Sequence, residues 1–448
     1  MDNPNKLVID PYDANKEEFK NNKINDVTNE QNFKEYNKLE EGLYITDEEK
    51  LLEIEEKKYY ALLSVAYGLM GIIADAPFYF IVSMSDYFKR AFNVKDVMII
   101  KFTLMESIIL IIVCILLHLI GSYRLKWNLY QPLCLAFFVS ILFFTVHLRN
   151  DYIGHRIVIY SIIPFATTAC IIKMTSLKIC VLFKKQHCSA YICGLSLSGF
   201  LVFILYVLGA YVFWEYDNNK FKKLFSLFCA VIICLSIMCY LILNRIYKLP
   251  FVIKIAEKNE DKGFFINKQI LIDSYKCVPV IYKYIILGFV SNFICYQIYP
   301  TIFPTCIDTT QETKGLLSGM ILCGDSVAHL LVHFYRKYVV KVRIIFFILS
   351  CSVMFLPIFV IIVIDTESFF NKLICLIILS YLFGFSHGLI SNSVFLKLPG
   401  ICEKKNKQKY LKTASNIIFL SFMFGVMIGV FVSKFVSQYV ISLKHKIE

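Results

Sequence analysis

Eleven apolar runs, each near 20 residues long, recur along this 448-residue chain. A helix of about 20 residues crosses a hydrocarbon core roughly 30 Å thick and satisfies its own backbone N–H and C=O groups on the way. Eleven such runs have no place in a water-soluble globule. Composition agrees: 57% of the residues are hydrophobic and 18% charged, where soluble domains run near 45–50% and about 25%. The mean hydropathy is +0.61. A transmembrane β-barrel would need short segments of alternating polarity, and these runs are continuous. The expected fold class is an all-α polytopic membrane protein of about 11 transmembrane helices.

The sequence predicts spans over 59–84, 97–120, 130–147, 157–177, 191–213, 224–243, 284–303, 316–334, 344–364, 373–394 and 413–438. Residues 244–283 are charged and carry Pro250, Gly263 and Pro279, so they read as a cytosolic linker loop. On that division 59–243 form an N-terminal six-helix bundle and 284–448 a C-terminal five-helix bundle. Residues 1–58 hold 9 Lys against 16 Asp and Glu and few large apolar side chains, which predicts an acidic, mostly disordered cytosolic tail. The remaining 390 residues carry 38 basic and 18 acidic groups, the basic ones set in loops between spans. That placement marks membrane topology and not a nucleic-acid polymer as partner. With the N-terminus cytosolic, the loops on that side hold about 23 Lys and Arg against about 13 opposite, which leaves the C-terminus extracytosolic. The bilayer is then a plasma membrane or an internal one. Most of the 16 cysteines, among them Cys114, Cys170, Cys229, Cys234, Cys239, Cys323 and Cys351, lie inside apolar runs and read as small core residues.

Ionisable residues inside spans are costly when they face lipid, so each is a candidate for a site. They are Asp75, Glu106, Lys173 and Asp325 with His329. Asp325, His329 and His333 recur every four residues and share one stripe of a helix. Three roles suit that stripe: a substrate-facing pair or proton relay, a metal site of two His and a carboxylate, or a buried pair that fixes packing. Lys173 and Asp75 differ in depth by about 10 Å at roughly 1.5 Å per residue, which leaves either a direct bond or a bridging ligand. Gly194, Ser196, Ser198 and Gly199, and Gly425 with Gly429, form small faces suited to close helix contact. Pro77 in the first span and Pro300 and Pro304 in the seventh suggest a matched pair of broken helices around a central site.

Several stretches, in order, resemble the equilibrative nucleoside transporter family. Gly71 to Phe80, with Asp75, Pro77, Phe78 and Tyr79, is similar to that family's Pro-Trp-Asn segment. Gly194 to Gly199 is similar to its Gly-x-x-x-x-Gly stretch, and Asp325 followed by His329 stands where the family has Asp and, four residues on, Arg. Phe383 to Gly388 is close to its Phe-x-Ser-Asn-Gly, with His387 in place of Asn, and Lys412-Thr413-Ala414 resembles its Glu-Thr-Ala. Lys173 stands at the position of a glutamine that meets the base.

The resemblance implies a major-facilitator-like arrangement of six plus five helices that moves nucleosides or nucleobases, purines favoured, by alternating access. Facilitated and proton-linked movement both stay open. The implied substrate-binding residues are Asp75, Phe78, Tyr79, Lys173, Gln297, Asp325, His329 and His387. No enzyme activity, no cofactor and no resident metal are expected, and a monomer is the expected state. The alternatives are a carrier of another small solute or a divalent metal through Asp325, His329 and His333, or an intramembrane transferase using His329 or His387 as base.

Overall fold

In the computed structural model the described residues are 54–84, 88, 92, 98–120, 125–148, 152–182, 185–212, 218–259, 268–307, 309–335, 341–365, 368–404 and 410–447. The expected disordered tail lies almost wholly outside them. The chain divides into two compact units, Met1–Tyr60 and Ala61–Glu448. Of the first, residues 54–58 are helical.

Twelve α-helices follow among the described residues: α1 Tyr60–Ser83, α2 Met98–Ile120, α3 Leu125–Leu148, α4 Tyr152–Leu182, α5 Lys185–Val212, α6 Asn218–Ile246, α7 Pro250–Asn259, α8 Lys268–Ile298, α9 Gln311–Phe334, α10 Val342–Ile364, α11 Leu373–Lys404 and α12 Leu411–Ile447. Eleven of them, all but α7, are long and apolar enough to cross a membrane. The chain is a multi-pass membrane protein. Large apolar side chains such as Phe137, Phe144, Phe347 and Ile374 point outward. Water would not tolerate so apolar a surface, whereas lipid tails match it.

The structure differs from the sequence expectation in three local respects. Residues 268–283, read from sequence as linker, are helical and begin α8. Charged residues are no obstacle there, because a helix can extend past the apolar core into the interfacial region. Pro77 does not break α1, which runs unbroken around it, and Pro300 and Pro304 lie beyond the end of α8 at Ile298, in a turn. The matched pair of broken helices is therefore absent. A proline costs a helix one N–H bond, and buried packing on both sides of Pro77 holds the helix together. Cys234 and Cys351 are exposed, not core residues, since a thiol is apolar enough to face lipid.

Packing is closest where glycine replaces a side chain. α8 packs most extensively on α12 and α9 on α11. A Cβ on Gly384 would collide with the Ile321 carbonyl, and one on Gly388 would sit 2.5 Å from that of Asp325. Those two glycines let α11 lie against α9 backbone to backbone, which carries Asp325 up to α11. Gly425 of α12 does the same against Phe289 of α8.

Candidate functional site

A cavity of about 150 Å³ opens inside the second unit. Its wall takes residues from α1, α2, α4, α5, α8, α9, α11 and α12, so helices from both halves of the sequence meet around it. Two aromatic side chains of α1, Phe78 and Tyr79, line it with ring centroids 6.0 Å apart. Tyr296 of α8 and Phe395 of α11 add further aromatic surface, and α12 contributes Phe419, Phe422, Met423 and Val426.

Lys173 of α4 and Asp75 of α1 form a direct ion pair on this wall. The side chains are 9% and 16% exposed, so the pair is nearly enclosed. Depth counted from span ends set them about 10 Å apart, and that count misses because lysine's flexible four-carbon stem and the tilt of each helix close the gap. Glu106 of α2 lies on the same wall, within electrostatic reach of Lys173.

Asp325 of α9 is the centre of a second polar cluster. His387 Nδ1–H of α11 donates to its Oδ1 at 2.9 Å, and Ser196 Oγ–H of α5 donates to its Oδ2 at 3.2 Å. The expected partner one turn along, His329, donates from Nδ1 to the backbone carbonyl of Asp325 at 2.8 Å and lies 3.5 Å from Oδ2. His387 is thus the principal partner of the carboxylate. The far ring nitrogen of His387, Nε2, reaches Asn292 Oδ1 of α8 at 3.4 Å and Ser391 Oγ at 3.3 Å. Asn392 Nδ2 donates to the His329 carbonyl at 3.1 Å, tying α11 to α9 a second time. His333 turns away and bonds Ser189 Oγ, so the Asp325, His329, His333 stripe does not converge on one point. Among the described residues no group of three His, Cys, Asp or Glu is placed to hold a metal ion.

Seven of the eight residues singled out from sequence, Asp75, Phe78, Tyr79, Lys173, Asp325, His329 and His387, line the one cavity. Gln297 does not. It follows Tyr296 on α8, is buried, and its backbone nitrogen lies 3.3 Å from where a Cβ on Gly429 of α12 would be. Tyr296, Asn292, Ser196 and Ser391 line the cavity and were not legible as contacts in the sequence. Their only signal is polar character inside apolar spans.

At the end of the bundle where α2 and α9 finish and α5, α8 and α12 begin, two polar clasps join the halves of the sequence. Asn416 Nδ2 of α12 donates to His118 Nδ1 of α2 at 3.1 Å, and His118 Nε2–H donates to Ser274 Oγ of α8 at 2.9 Å. The Ser189 to His333 bond links α5 to α9.

No protein-family model matches the sequence. Two solved structures share the fold. A major facilitator superfamily transporter, FucP, in its outward conformation, superposes with a TM-score of 0.53 at 10% identity over 86% of this chain and 98% of that one. A bacterial homolog of the human lysosomal transporter Spinster, inward-facing and occupied, gives 0.51 at 11% identity over 86% and 83%. The fold is therefore of the major-facilitator type. At the level of sequence, Nucleoside transporter 1 of Plasmodium berghei (strain Anka) is 23% identical over 265 residues. The match takes in 54% of this chain and 62% of that protein, less than two thirds of the relative's length.

Proposed function

We propose that this chain is a membrane transporter of nucleosides or nucleobases, purines favoured, working by alternating access. The observation that carries it is an internal cavity, between helices of both halves, with two adjacent aromatic rings beside an ion pair. A planar base has π-faces for Phe78 and Tyr79, and each stacking contact is worth roughly 1–3 kcal/mol. The polar edge of the base then meets the Lys173 and Asp75 pair, which offers a donor and an acceptor side by side. At about 150 Å³ the cavity suits a ring of benzene's size or a little more. A base fits this conformation, and a ribose requires neighbouring helices to part.

The Asp325 cluster holds α5, α9 and α11 in register around the substrate. Because Asp325, His387 and Ser196 lie on three different helices, their bonds are suited to break and re-form together when the helices rock. The two clasps tie helices of the two halves together near one end of the bundle. Sequence likeness to a nucleoside transporter supports the substrate class, and the charge of the loops supports a cytosolic N-terminus and an extracytosolic C-terminus.

The test is uptake of labelled adenosine, inosine and hypoxanthine by sealed vesicles containing the purified chain. Saturable uptake above empty vesicles, lost in Phe78→Ala/Tyr79→Ala, is the expected result. Uptake of zinc or manganese without purines would point to a metal carrier. Turnover in detergent, with no sealed compartment, would point to an enzyme.

A further inference from the structure

The wall of the cavity carries one acid that the ion pair leaves over. Glu106 is 6% exposed and its side chain lines the cavity, yet among the described residues no hydrogen bond or ion pair reaches its carboxyl oxygens. The groups that face it are Asp75 from α1, Lys173 and Cys170 from α4, and Tyr296 from α8. α12 presents only Phe419, Phe422, Met423 and Val426 to the cavity. Lys173 is the one cation among these, and it is held by Asp75. Two carboxyl groups and one ammonium therefore share a largely buried wall, with one negative charge in excess if both acids are ionised. An uncompensated buried charge is not tolerated without a partner.

A neutral nucleoside or base brings no charge to cancel it. A transition metal held by three His, Cys, Asp or Glu side chains finds no such group among the described residues, and Asp75 is engaged. The remaining cation is a proton, which needs only one oxygen. By contrast the Asp325 carboxylate already has His387, Ser196 and His329 around it and leaves no such deficit.

We propose that Glu106 is the proton-binding residue of this protein, so that a proton crosses together with substrate; this rests on the transport reading above. An O–H bond forms at one Glu106 carboxylate oxygen as an O–H bond of hydronium breaks and leaves water on the side to which the cavity opens; on the other side the Glu106 O–H bond breaks and its proton returns to water as hydronium. No electrons move. Ionised Glu106 competes with Asp75 for the Lys173 ammonium and unsettles the edge that meets the base. Protonated Glu106 leaves the Lys173 and Asp75 pair intact and offers its own O–H to the ligand. Substrate and proton thus favour each other's binding, which is the requirement for coupled movement.

The experiment uses the full chain in sealed vesicles with a pH gradient of about two units, acid outside, and labelled hypoxanthine and inosine as probes. With one proton per substrate the gradient supports up to about a hundredfold accumulation, and at least about tenfold is expected. Glu106→Gln, a permanent mimic of the neutral acid, should exchange label with preloaded unlabelled substrate but only equilibrate, with no accumulation. Glu106→Asp should regain part of the accumulation, which guards against a folding defect in the amide variant. Wild-type uptake that never exceeds equilibrium, accumulation unchanged in Glu106→Gln, or accumulation driven by sodium instead of acid overturns the proposal. Should the wild type move neither probe, the transport reading fails on its own. The proton site is then judged without substrate, by the infrared band of a protonated carboxyl during a pH titration. A band lost in Glu106→Gln upholds the site, and no Glu106-dependent band overturns it.

Discussion

Replacing Asp325 by alanine takes the acceptor away from two side chains at once, His387 at 2.9 Å and Ser196 at 3.2 Å. A hydrogen bond to a charged group contributes about 1.5–3 kcal/mol, and breaking a buried pair from one side costs about 3–5 kcal/mol. The carboxylate and imidazole are 18% and 19% exposed to the cavity, so the lower part of that range applies, about 3 kcal/mol for Asp325→Ala. His387→Ala removes one of the two bonds and leaves Ser196 in place, for about 2 kcal/mol. Once Asp325 is gone, removing His387 breaks no further bond to a carboxylate, so the double variant should cost about 3 kcal/mol and the coupling energy should be about 2 kcal/mol. Equilibrium unfolding of the four proteins in mixed micelles, followed by far-ultraviolet circular dichroism, measures this cycle. A coupling below about 0.5 kcal/mol, the range of independent sites, would refute the pairing of α9 with α11 through these residues.

Lys173→Ala leaves Asp75 buried and unpaired, so Lys173→Ala should lose far more folded protein than the double change with Asp75→Ala; equal yields by detergent size exclusion would deny the pair its role. Lys173→Gln should keep uptake but shift the preference among bases by about tenfold, from a lost bond of 1.5–3 kcal/mol; an unchanged competition profile would remove Lys173 from substrate contact. Gly384→Val should abolish assembly because the new side chain meets the Ile321 backbone, whereas Gly400→Val, where nothing lies within 4 Å of a Cβ, should assemble; similar yields would sink the close-packing argument. Deleting residues 1–45, too polar to build a core, should leave uptake per inserted molecule within about tenfold, and a larger loss in a surface-normalised assay would give the tail a part in the cycle.

Whether a segment spans a membrane depends on its own length and apolarity, and every backbone bond of a helix closes within four residues. That is why all eleven spans are legible in the chain itself, and why only their ends move, as at α8, which begins at Lys268 and not near residue 284. The polar residues are legible for the same reason: Asp75, Glu106, Lys173 and Asp325 stand out against apolar neighbours wherever the helices end up. Their partners are another matter. Asp325 pairs with His387, 62 positions along, in preference to the neighbour one turn away, because two glycines draw α11 onto α9. Lys173 meets Asp75 while Glu106 on the same wall has no hydrogen bond or ion pair among the described residues, and Gln297 does not line the cavity that its neighbour Tyr296 lines. Rotation and tilt of each helix about its own axis decide these outcomes. They are set by contacts between helices remote in sequence, which no local pattern of residues contains.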